Sequence, residues 1–222
     1  VIGMLEALLA GGKEAKPVKQ GSADDAAFIM FSHSDRARIA AIAASALAGT
    51  EITRATSLLE LALNIARFAN IDAKDPAHRA LAVTGHNLAC ELEEKTERSE
   101  DETRLMIMAA QTSRKHWELA GGWMEVERAE YRLANTYLKA GMIEHAAKHA
   151  KACLEIAKAN AADELELFFA NEAMAKVELA RNQKLVAVAT IDEMKSLFAK
   201  MSAENQPWCK ASLEKLSAQV SH

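Results

Sequence analysis

The run from Arg128 to Ile156 constrains the fold more than any other: R-A-E-Y-R-L-A-N-T-Y-L-K-A-G-M-I-E-H-A-A-K-H-A-K-A-C-L-E-I. Before Gly141, the apolar residues Leu133, Ala134 and Tyr137 recur at helical spacing. After it, Ala146, Ala150, Cys153 and Leu154 do the same. Each segment carries one apolar stripe and has to bury it. Two such helices joined by a short break close into an antiparallel hairpin.

The same pattern returns along the chain. The ends of second helices align as A-L-N-I-A (Ala62 to Ala66), H-W-E-L-A (His116 to Ala120) and C-L-E-I-A (Cys153 to Ala157). An alanine stands seven residues ahead of each, at Ala55, Ala109 and Ala146. The last hairpin offers S-L-F-A (Ser196 to Ala199) with Ala189. Among first helices, L-A-N-T-Y from Leu133 matches F-A-N-E-A from Phe169. Self-similarity of this kind is the mark of stacked helical repeats, and the uneven spacing reads as longer helices or loops in some of them.

The central hairpin resembles a tetratricopeptide repeat. Leu133-Ala134 match that family's leucine and small residue, Tyr137 its aromatic, Gly141 its turn glycine and Ala146 its close-packing alanine. Cys153 matches the small residue late in the second helix. The family's tryptophan is replaced by Glu130 and its closing proline by Lys158. The resemblance implies an all-α, right-handed superhelix of about four hairpins with a C-terminal capping helix. It also implies a concave groove, lined by first helices, that grips a peptide.

Punctuation sets the expected elements. Val1 to Ala10 reads as an amphipathic helix rather than a signal peptide, since no basic leader precedes it. Gly11 to Ser22 reads as a flexible linker, and Ala26 to Phe31 as an apolar run in need of a surface. Residues 1–31 therefore form an N-terminal segment and residues 32–222 the repeat domain. Ser34 is the expected first cap, with Ile39, Ile42, Ala43, Ala46 and Leu47 inward; Thr50 is expected to cap the helix that follows. Asp75-Pro76 opens a third helix, and Ser99 with Glu102 forms a capping box for a fourth that ends at Gly121-Gly122. Helices from about Ala162 to Arg181, then to about Met201, and from Gln206-Pro207 to about Val220 complete the chain.

In the central first helix, Leu133, Ala134 and Tyr137 take the buried side. The stripe left over is Arg128, Tyr131, Arg132, Asn135 and Lys139, all on one face. A face made only for solvent has no need of the tyrosine or the asparagine. Asn171 repeats Asn135 one hairpin later, where the resemblance implies a contact with ligand main chain. Arginine offers a planar fork to carboxylates, and asparagine can both donate to and accept from a peptide backbone. The stripe departs from the family's acidic-tail clamp, with Tyr131 in place of a lysine and Cys90 in place of an asparagine. Leu167, Asn171 and Met174 on one side and Ala40, Ala44 and Leu47 on the other would give the groove apolar ends. The competing reading is a plain solvated face.

Other chemistry finds little support. His145, His149 and Cys153 fall at i, i+4 and i+8 on one helix, a spacing that can hold zinc, yet Cys153 also takes a core position in the repeat. No phosphate loop or nucleophile elbow occurs. A net charge of −4 gives no electrostatic case for nucleic acid or anionic membranes. No run of uncharged apolar residues is long enough for a membrane span. Three cysteines without metal spacing fit reduced thiols in a cytoplasmic protein. Trp117, Trp123 and Trp208 are expected to fill gaps between hairpins.

The sequence thus points to a non-enzymatic, peptide-binding scaffold without cofactor. Its partner would be a protein segment of acidic and hydrophobic character, with self-association left open. The expected contact residues are Arg128, Tyr131, Arg132, Asn135, Lys139 and Asn171. The alternatives are a sensor whose groove is filled by its own N-terminal segment and a metal-dependent enzyme at His145, His149 and Cys153.

Overall fold

Caps fix where the helices begin. The computed structural model describes residues 30–220, and among these every regular element is an α-helix. The expected helix over Val1 to Ala10, the linker and all but the end of the apolar run before Phe31 lie outside the described residues. The helices are α1 (His33–Leu47), α2 (Ile52–Phe68), α3 (Pro76–Glu94), α4 (Glu100–Ala120), α5 (Trp123–Lys139), α6 (Ile143–Ala159), α7 (Glu164–Ala180), α8 (Lys184–Lys200) and α9 (Gln206–Val220).

Asp75 caps α3 by accepting from the Ala77 N–H at 2.8 Å, with Pro76 in the first turn. Ser99 and Glu102 close the capping box of α4 as expected. Two expected caps are corrected. Ser32, not Ser34, caps α1 by accepting from the Asp35 N–H, and Ser34 instead donates to Asp75 at 2.6 Å. That bond and the Ala77 N–H hold the Asp75 carboxyl below its ordinary range. Glu51, not Thr50, takes the cap position of α2, and its side chain makes no capping hydrogen bond.

The chain divides into two units, one up to Gly121 and one from Gly122. In the first, α1 pairs with α2 and α3 with α4; α1 also packs on α3, and α2 on α4. The inner face of α1 differs from the expected one. Ala37, Ala40, Ala41, Ala43, Ala44 and Leu47 are buried, whereas Ile42 is 60% exposed and Ala46 faces out. Packing against two helices at once favours the alanine side, where the backbones can approach closely. Ala40, Ala44 and Leu47 are therefore core residues and cannot line a groove. Gly85 serves the same end between α3 and α4. A Cβ there would lie 2.6 Å from the Ala109 carbonyl oxygen and 3.0 Å from the Ser113 nitrogen. Only glycine permits that approach.

In the second unit, α5 pairs with α6 and α7 with α8. Helix α7 also packs on α5, α6 and α9, and α8 packs on α9. Gly141 turns the α5–α6 hairpin with φ at +72°. Leu133, Ala134 and Tyr137 are buried, as the hairpin pattern predicts. Phe168, Ile191, Met194, Cys209, Leu213 and Leu216 form a core shared by α7, α8 and α9. Trp208, expected as a gap filler, is 75% exposed at the start of α9.

Candidate functional site

The polar stripe of α5 faces α7, and the two helices are stitched together by side chains. Arg128 Nε donates to Glu166 Oε1 at 3.1 Å and Oε2 at 3.2 Å, and its Nη2 also donates to Oε1. The acid of this pair is turned inward, at 6% exposure, while the arginine side chain stays 58% exposed. The pairing holds the Arg128 guanidinium above its usual range. Two turns further along α7, Glu172 is the hub. The Tyr131 hydroxyl donates to its Oε2 at 2.5 Å; Lys176 Nζ, at 2.9 Å, and the Ser212 hydroxyl of α9 donate to its Oε1. Lys176 Nζ also donates to Asn135 Oδ1 at 2.9 Å and stands over the Tyr131 ring. A carboxylate only 4% exposed is thereby fully supplied with donors. Burial and the neighbouring Glu172 push the Tyr131 phenol well above its ordinary range.

Directly beside this ladder, α7 and α9 bound a cleft of about 570 Å³. Glu172, Lys176 and Ser212 reach it from the ladder. Leu179, Ala180, Ala211 and Leu216 give it aliphatic walls, and Lys215 and Gln219 are exposed on the α9 side. Glu172 already holds Lys176, so Lys215 leaves the cleft with an excess of positive charge.

No family model matches the chain, and no curated relative or solved structure matches it. The arrangement of the side chains therefore carries the functional argument alone.

Of the six expected contact residues, Tyr131 and Asn135 belong to the ladder that backs the cleft. Arg128 lies a turn away, on Glu166. Arg132 is half-buried, and Lys139 is exposed in the last turn of α5, where a cation suits the helix dipole. Asn171 is 8% exposed. Both asparagines use Nδ2 in the same way. Asn135 donates to the Tyr131 carbonyl at 2.9 Å, and Asn171 to the Leu167 carbonyl at 2.7 Å. The repeated asparagine is thus bonded to its own helix in each hairpin. Glu172, Lys176, Ser212 and Lys215 were not singled out from sequence. The available signal was Glu172 and Lys176 at i, i+4 on α7, a spacing common on solvated faces as well.

A second polar group fills the seam of α5, α6 and α7. The Cys153 thiol donates to Glu127 Oε1 at 2.8 Å, and His149 Nδ1 lies 2.6 Å from Glu130 Oε2. The rings of His145 and His149 both lie against Tyr137. Burial, opposed by the Cys153 bond and aided by Glu166, raises the Glu127 carboxyl to about 7. Burial and then the Glu127 charge push the Cys153 thiol far above its usual range, which makes it a poor nucleophile and a poor ligand at neutral pH. Cys153 is bonded to Glu127 and His149 to Glu130, while His145 lies against Tyr137. Among the described residues, no three His, Cys, Asp or Glu side chains come together as a metal site.

Proposed function

We propose that the second unit binds a peptide in the cleft between α7 and α9, as part of a tetratricopeptide-like array of four hairpins wound as a right-handed superhelix with α9 as its cap. In this reading the protein is a scaffold that holds a partner and performs no chemistry on it. Tyr131 and Asn135 act by fixing Glu172 and Lys176 at the back of the cleft. Arg128, Arg132 and Lys139 extend the face around α5 and α7, and Asn171, buried and bonded to its own helix, underlies it. Leu179 and Leu216 supply apolar wall, and Lys176 and Lys215 supply charge. The partner is accordingly an acidic segment carrying an aliphatic or aromatic side chain.

The observation that carries the reading is the junction of aliphatic wall and lysines over a carboxylate that is already saturated. A fixed polar back and an open apolar front match what an extended peptide asks of its receptor.

Fluorescence anisotropy with labelled peptides tests it. A peptide alternating Asp or Glu with Leu or Phe should bind, and its Lys/Leu counterpart should not. Lys215→Glu alters an exposed residue of α9 and should leave helicity intact while weakening the acidic peptide about tenfold, the worth of one well-placed charge pair of about 1.4 kcal/mol. Equal binding of both peptides, or no effect of Lys215→Glu, would remove the cleft as the binding site.

A further inference from the structure

The first unit holds a second cleft, about 370 Å³, where the start of α1 meets the end of α2. Arg36 lines it, together with His33, Asn64, Ile65 and Phe68. Arg36 is half-buried, and its Nε is enclosed yet has no hydrogen-bond partner among the described residues. Among the described residues, Asp35 pairs with Ser32 and Arg38, and Asp75 with Ser34 and the Ala77 N–H. An enclosed guanidinium N–H with no acceptor is costly. Arg36 also lines the cleft, where an anion would pair with its charge. The other wall is apolar. Phe68 is 72% exposed, and the Arg67 guanidinium lies 5.2 Å from its ring centroid.

We propose that this cleft binds a carboxylate that carries an adjacent apolar group. The guanidinium of Arg36 takes the carboxylate in its planar fork, the Asn64 amide adds a donor, and Ile65 and Phe68 cover the apolar part. A dianion fits less well, since Asp35 in the first turn of α1 opposes a second negative charge at that end. The chemistry has two sources. One is a separate small molecule. The other is the chain itself, in which Asp24-Asp25 stand a few residues before His33 and are followed by Ala26, Ala27 and Phe28. The site lies in the unit that does not contain the peptide cleft, so the two proposals stand or fall separately.

The test follows the Arg36 Nε–Hε and Phe68 ring resonances of the full chain by NMR, with phenylacetate as probe and acetate and benzyl alcohol as controls. Arg36→Lys identifies the arginine signal. Phenylacetate should shift both sets, with the controls at least about tenfold weaker. Shifts in the wild-type chain assign the site to a separate ligand. A silent wild type with shifts in the Asp24→Asn, Asp25→Asn double variant assigns it to the chain's own acids. No shift in either protein, or equal shifts with benzyl alcohol, would overturn the proposal.

Discussion

Tyr131 on α5 donates its hydroxyl proton to Glu172 on α7 at 2.5 Å, and the same glutamate takes Lys176 and Ser212 on its other oxygen. One buried carboxylate thus joins three helices at the back of the cleft. Tyr131→Phe removes a single donor and leaves the ring in place against Phe169. It should cost about 1.5–3 kcal/mol, the range for a hydrogen bond to a charged group. Urea unfolding should show a lower midpoint with an unchanged slope. An unchanged midpoint would mean that the hydroxyl bond contributes nothing net.

The two units should respond to pH in opposite senses. Glu127, in the second unit, is raised from 4.5 to about 7, chiefly by burial. Its contribution favours folding below 4.5 and is lost as pH rises through about 7. His116, in the first unit, is lowered from 6.5 to about 4 by burial and then by His78, whose Nδ1 is 2.9 Å away. Its contribution is present above 6.5 and is lost as pH falls through about 4. Hydrogen exchange corrected for intrinsic rates should show α5–α7 loosening toward pH 7 and above, and α3–α4 loosening in acid. Glu127→Gln should weaken the first trend and leave the second unchanged; Glu178 of α7, also raised by burial, keeps the remainder.

Gly85→Ala sets helix propensity against packing. Alanine favours an isolated helix by about 1 kcal/mol. Here its methyl would meet the Ala109 carbonyl oxygen at 2.6 Å, and backbone cannot yield as a side chain can. Overpacking of this kind costs about 1–3 kcal/mol, so the variant should melt lower. A higher melting temperature would show that α3 and α4 separate without cost.

The three thiols should differ in reactivity. Cys153 and Cys209 are buried, and burial pushes the Cys209 thiol up to about 11. Cys90 is partly exposed. A disulfide reagent at neutral pH should therefore modify Cys90 promptly and the other two only on unfolding. Mass spectrometry of early digests checks the order, and rapid labelling at Cys153 would contradict the buried Glu127–Cys153 pair.

What the sequence revealed was the part governed by neighbours in the chain. Asp75-Pro76, Ser99 with Glu102, and Gly141 act within one turn, and each marks the boundary it was expected to mark. What stayed hidden depends on partners from other helices. Ser34 looked like a cap because its pairing with Asp75 spans two helices. The inner face of α1 looked like the isoleucine side, because alanine's advantage appears only when two helices press on it. Nothing in the sequence sets Glu127, Glu130, Glu166 and Glu172 apart from surface acids, yet all four are buried. Their partners Cys153, His149, Arg128 and Tyr131 lie on other helices. Tyr131 and Asn135 were legible as unusual for a solvent face, but their bonding to Glu172 and Lys176 was not.

The most direct measurement is chemical-shift mapping of an acidic, hydrophobic peptide onto the labelled chain. The account predicts that saturation moves the amides of Lys176, Leu179, Ala211, Lys215 and Gln219 most, with Tyr131 and Asn135 following through the ladder. Binding that moves other surfaces and leaves the residues of α7 and α9 unchanged would contradict it.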